Sequence, residues 1–122
     1  MSHPAPRSYG CCGRRLTRKG SIFEAHMGEY IYLIHPLRHE FFESPTALEN
    51  EMMDAHYQYL KQAVDKKIIL LAGPCLDETF GVVVLRAGSE EEARQFMLND
   101  PSVQSNVMMA ELHPMKVSLR GC

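Results

Sequence analysis

No apolar run in this 122-residue chain approaches the roughly 20 residues that a membrane-spanning helix needs. No CxxC pair occurs, which removes the usual signatures of a zinc knuckle or a thioredoxin-type site. Cys11 and Cys12 are adjacent, Cys75 lies mid-chain and Cys122 ends the sequence. Without a framework spacing, the expectation is four free thiols in a reducing cytoplasm. His35 and His39 are four apart, but Pro36 intervenes and denies them a shared helical face. With no third ligand in the pattern, no metal site is expected. There is no continuous apolar stretch of the secretory kind, no internal repeat and no low-complexity segment. Positive charge is scarce in most of the chain: residues 27–122 carry a balance of −6. Such a body does not attract phosphate backbones, so nucleic acid is not an expected partner.

What is present describes an ordinary globular protein, with 45% apolar and 23% charged residues. The length fits one domain, which buries only about two-thirds of its unfolded surface and gains from pairing with a second copy. The first 26 residues differ from the rest. They hold Arg7, Arg14, Arg15, Arg18 and Lys19 against Glu24 alone, a balance of +4, together with two prolines and three glycines. The expected organisation is a basic, disordered leader over residues 1–27 and one domain over 28–120. Translation starting at Met27 would make that leader foreign to the native protein.

Within the body, residues 29–35 are aromatic and β-branched, and Pro36 follows, which predicts a strand. A loop over 36–45 leads to a helix that Thr46 caps, with Glu49 completing a capping box. At about 100° per residue, Leu48, Met52, Ala55, Tyr59, Leu60 and Ala63 fall on one arc of this helix. Its end is expected near residues 65–67, where the lysine pair suits the negative end of the helix dipole. Residues 68–72 predict a second strand stopped by Gly73-Pro74, and 80–86 a third, valine-rich one. Ser89 caps a second helix with Glu90, Glu91 and Glu92 in its first turn. That helix breaks at Asn99-Asp100-Pro101. A last strand over 107–119 is expected to be interrupted or bent at Pro114. The order β-α-β-β-α-β predicts a ferredoxin-like α+β fold, an antiparallel sheet with both helices on one face. The other sheet face then meets a second copy.

His56 falls in the middle of the apolar arc, where a polar ring costs free energy without a partner. Position alone leaves two readings open: a satisfied core histidine that anchors the helix, or a general acid–base. Asp100 is the natural carboxylate to meet it, and Asp-Pro is equally a good cap and first-turn pair for a short helix over 101–105. One carboxylate oxygen suffices for capping, so both roles can coexist. Gly73-Pro74 reads as a turn, or as backbone that approaches a ligand closely. Arg38 and His39 follow the first strand and suit an anionic substrate, or simply a solvated loop. Cys75, just after Gly73-Pro74, is the one thiol worth testing as a nucleophile.

The ordered set His56-Tyr57-Gln58-Tyr59-Leu60, Leu71-Ala72-Gly73-Pro74, Gly81-Val82-Val83-Val84, Ser89-Glu90-Glu91-Glu92-Ala93 and Asn99-Asp100-Pro101-Ser102-Val103 resembles the YCII-related family over residues 29–119. The resemblance implies a dimeric ferredoxin-like α+β barrel, with kinship to muconolactone isomerase-type barrels. It also implies that the family's His–Asp pair maps onto His56 and Asp100, in a pocket between helix and sheet. Two departures stand out: Asp65-Lys66-Lys67 where many relatives close the first helix with glycine, and a glycine-poor loop over 77–80. The function expected from residues and resemblance together is a small enzyme without metal or organic cofactor. His56 and Asp100 would act on a small cyclic or phenolic metabolite, with Arg38, Gly73 and Pro74 as substrate-binding residues. The alternatives are a pocket that binds without turnover and an accessory homodimer that acts through its surface.

Overall fold

The structure, a computed structural model, describes residues 27–121. The expected leader lies outside the described residues, as do Cys11, Cys12 and Cys122. The element order is β1 (Gly28–Pro36), α1 (Ala47–Asp65), β2 (Ile69–Pro74), β3 (Gly81–Ala87), α2 (Glu90–Leu98), α3 (Pro101–Gln104) and β4 (Met108–Met115). The four strands form one antiparallel sheet in the order β2-β3-β1-β4, the ferredoxin-like arrangement.

Register places the core. Tyr32 pairs with Val83 and Ile34 with Gly81, so Tyr32, Ile34, Val83, Leu85 and Ala87 share one sheet face. All five side chains are buried, and Leu60 and Ala63 of α1 and Ala93 and Met97 of α2 pack against them. Gly81 is required by this packing, because a Cβ there would sit 2.9 Å from Ile34 Cγ1. The alternate residues Ile31, Leu33, Val82 and Val84 occupy the opposite face. Among the described residues no helix is long and apolar enough to cross a membrane.

The caps explain where the helices begin. Thr46 Oγ1 accepts from Glu49 N at 3.0 Å, and Glu49 Oε1 accepts from Thr46 N at 2.9 Å, a complete capping box. Ser89 Oγ accepts from Glu92 N in the same way. Helix α1 ends in a Schellman motif: Lys67 N donates to Val64 O and Ile68 N to Ala63 O, with Lys67 at φ 65°.

Two expectations about proline need correction. Gly73-Pro74 does not stop β2; both residues belong to it, paired with Val82 and Gly81. Pro114 does not interrupt β4; it pairs with Tyr30 inside a continuous register, and the strand ends at Met115. Both strands lie at sheet edges, where a missing N–H can face away from the ladder without loss.

Candidate functional site

The short helix α3 positions the central carboxylate. Pro101 opens it, and the preceding Asp100 caps it, with Oδ1 accepting from Ser102 N at 3.0 Å. Asp100 is completely buried. Helix α1 packs against α3 and β2, which carries His56 onto that carboxylate. His56 Nδ1 lies 2.8 Å from Oδ1 and 2.9 Å from Oδ2. From the sheet, the buried Tyr32 hydroxyl donates to Oδ2 at 2.8 Å. Ser102 Oγ donates to Oδ1 at 2.9 Å and lies 3.3 Å from His56 Nδ1. The amide of Ser102, the hydroxyls of Ser102 and Tyr32 and the imidazole of His56 therefore fill the four lone-pair sites of one carboxylate.

Burial alone would raise the pKa of Asp100. The hydrogen bond and charge of His56, then Tyr32 and the Ser102 amide, outweigh it and hold the pKa below the ordinary carboxylate value. The Tyr32 phenol is pushed far up, by burial first and then by the charge and hydrogen bond of Asp100, so it stays a donor. Nearby, Tyr59 is pushed up to about 12 by burial and then Asp100, and its hydroxyl donates to Phe96 O at 2.7 Å. An ionised carboxylate only accepts hydrogen bonds, which assigns the shared proton to His56 Nδ1. The neutral ring then carries its lone pair on Nε2, which has no hydrogen-bond partner among the described residues and is not sealed from solvent.

His56 lines a cavity of about 590 Å³ between α1, the β2–β3 hairpin and the loop after β1. This volume is in the range of small-molecule sites. Phe41, Phe42, Met53, Leu60, Val64 and Phe80 make most of its walls apolar. Gly73, Pro74 and Cys75 also line it. A Cβ on Gly73 would meet nothing within 4 Å, so local packing does not demand glycine there.

Of the five residues given a catalytic or substrate-binding role from the sequence, four thus adjoin this cavity or its histidine, and Arg38 does not. Arg38 Nε and Nη2 grip Glu49 at 2.7 and 2.9 Å, Nη2 also donates to Ser44 O at 2.6 Å, and Nη1 lies 3.3 Å from Glu40. The guanidinium fastens the loop 37–46 to the start of α1. Arg38 and His39 instead border a smaller recess with His35. Tyr32 and Ser102 were not anticipated. Tyr32 reads only as a strand aromatic, and nothing local in the sequence says that its hydroxyl reaches the carboxylate that caps α3. Among the described residues there is no group of three or more histidine, cysteine or acidic side chains that could hold a metal.

Fold and site together define a class: a ferredoxin-like α+β domain with a buried carboxylate holding an imidazole at the wall of an apolar cavity. The model of the YCII-related domain matches residues 29–116, and the chain belongs to that family. Uncharacterized protein YjpA of Bacillus subtilis (strain 168) is 34% identical over 76 residues, covering 62% of this chain and 82% of YjpA. Among solved structures, uncharacterized protein TM1266 from Thermotoga maritima aligns at 15% identity and a TM-score of 0.43, over 74% of this chain and 99% of that one.

Proposed function

We propose that this protein is a small cytoplasmic enzyme in which His56 and Asp100 act as an acid–base pair on a cyclic or phenolic metabolite, without a cofactor. The observation that carries this reading is the division of labour on one imidazole. Nδ1 is held by both oxygens of a buried carboxylate, and Nε2 is left without a partner on a ring that lines the cavity. In the proposed step, Nε2 takes a proton from an acidic carbon or hydroxyl of the ligand. The electron pair of the broken bond moves into the conjugated ring system, and Asp100 stabilises the imidazolium. The proton then returns to a different atom, an isomerisation, or the electron pair expels a leaving group, an elimination. Nucleophilic catalysis by Ser102 is less well supported, because its hydroxyl is engaged with Asp100. Gly73 and Pro74 contact the ligand in this reading. Arg38 acts at one remove, by fixing the loop that bears Phe41 and Phe42. The working form is a homodimer joined through the sheet face that bears Ile31 and Leu33.

The test is solvent deuterium incorporation into small cyclic acids, lactones and phenols. Wild-type protein is expected to exchange an acidic position of at least one compound. His56→Asn should slow that exchange by about 10²-fold or more while the compound still binds. Binding with no exchange in the wild-type protein would make the cavity a receptor rather than an active site.

A further inference from the structure

We propose that the natural ligand is a cyclic acid whose carboxylate pairs with Lys61 while its ring lies against His56. This deepens the reading above and rests on it. The cavity walls are apolar, and its charged or ionisable lining is limited to His56, Lys61, Glu78, Cys75 and Tyr57. A charged group of a ligand must therefore be met at those points, since an unpaired one against apolar walls costs several kcal/mol. Neither the Lys61 ammonium nor the Glu78 carboxylate has a hydrogen-bond or ion-pair partner among the described residues. In contrast, Arg38, outside the cavity, is engaged by Glu49, Ser44 and Glu40.

The two ends of the cavity are ordered along one helix. His56 has 13% of its side chain exposed. Lys61 is exposed, and Tyr57 and Val64, one turn to either side of it, form the rest of an open rim. His56 and Lys61 line the same cavity, so a ring seated against the imidazole can turn a carboxylate toward the ammonium at the mouth. Lys61 is favoured over Glu78 as the anchor because it shares the rigid α1 with His56. Glu78 sits at the hairpin tip with φ 67°, on an element that does not set its distance from the histidine. Glu78 then opposes anion entry, and the two residues affect binding in opposite directions.

The experiment titrates the full chain with phenylacetate and with phenylacetamide, which differ in charge and little in shape, following the His56 ring signals by NMR. Wild-type protein is expected to bind the acid about fivefold more tightly at low salt. Lys61→Gln should abolish that preference without changing the affinity for the amide. Lys61→Arg should keep it, and Glu78→Gln should enlarge it. Equal binding of the two probes by wild-type protein, or a preference that survives Lys61→Gln, overturns the assignment and leaves the cavity a ligand site. If neither probe moves the His56 signals, the cavity is not a site for such rings, and the proposed function falls with the inference.

Discussion

At the scale of single residues, Asp100 is the point on which the site depends. Four donors from three parts of the fold converge on its two oxygens: β1 through Tyr32, α1 through His56, and α3 through the amide and hydroxyl of Ser102. Replacing it with asparagine turns one acceptor into an N–H₂ group facing groups that donate to it in the native site. Asp100→Asn is expected to cost about 1–3 kcal/mol, read from urea unfolding. The same variant should loosen the imidazole tautomer, seen as a loss of the Nδ1–H form in nitrogen-15 spectra. Tyr32→Phe removes one hydrogen bond to a charged acceptor without changing the packing. A loss of about 1.5–3 kcal/mol is expected, and a neutral result would show that the Asp100 charge does not need this donor. The meeting of His56 and Asp100 was legible because each announced itself locally, one as a polar ring on an apolar arc, the other as an Asp-Pro cap. Tyr32 and Ser102 were not, since their convergence depends on how the sheet brings the Tyr32 hydroxyl to the cap of α3. No local pattern encodes that.

At the scale of elements, the loop after β1 is joined to α1 by a single ion pair, and this makes it acid-sensitive. The hydrogen bond from Arg38, then the Thr46 amide, lower the pKa of Glu49 from 4.5 to about 2. A carboxylate with a depressed folded pKa stabilises the native state fully above its unfolded value. That contribution is lost as pH falls through the folded one. The stabilisation from Glu49 should therefore fade between pH 4.5 and about 2. In Glu49→Gln the urea midpoint should fall less over that window than in wild type, and identical slopes would place the acid sensitivity elsewhere. The end of the same helix carries a removable strain. Lys67 holds a left-handed conformation at the position where a Schellman motif favours glycine. Lys67→Gly is expected to raise stability by about 1 kcal/mol. The helices were legible almost to the residue because capping chemistry is local. The strands were less so. Ile69 and Leu71 share parity in sequence, yet Ile69 pairs with the inward Leu85 and Leu71 with the outward Val84. A register shift between them reverses the alternation. Pro74 and Pro114 were misread for a related reason: whether a proline ends a strand depends on its being at an edge, which is a property of the finished sheet.

At the scale of the whole molecule, the asymmetry of the sheet is the feature with most consequence. One face is filled by the helices, while on the other Leu71, Val84 and Ile31 form one row and Val82 and Leu33 the next. Leu71 is 59% exposed, and Met109 on β4 is 50% exposed. Polar groups border this patch, with Glu29 opposite Arg86 at one end, His35 at the other, and His113 and Glu111 paired at 2.7 Å on β4. A continuous apolar surface across neighbouring strands is unusual on a soluble monomer and marks a surface that another body covers. A second copy is the simplest such body, because a two-fold axis places the same patch on both sides. Pairing of that kind would also offset the modest core of a chain this small. Light scattering at micromolar concentration should therefore give twice the chain mass, and a monomer there would refute the pairing. Leu71 lies in the first of these rows, opposite Val84, so Leu71→Lys sets one charge from each copy into a shared apolar contact. That variant should run as a monomer with its far-ultraviolet circular dichroism unchanged. If it still runs as a dimer, the copies meet through some other surface, and the exposed face of the sheet needs a different occupant.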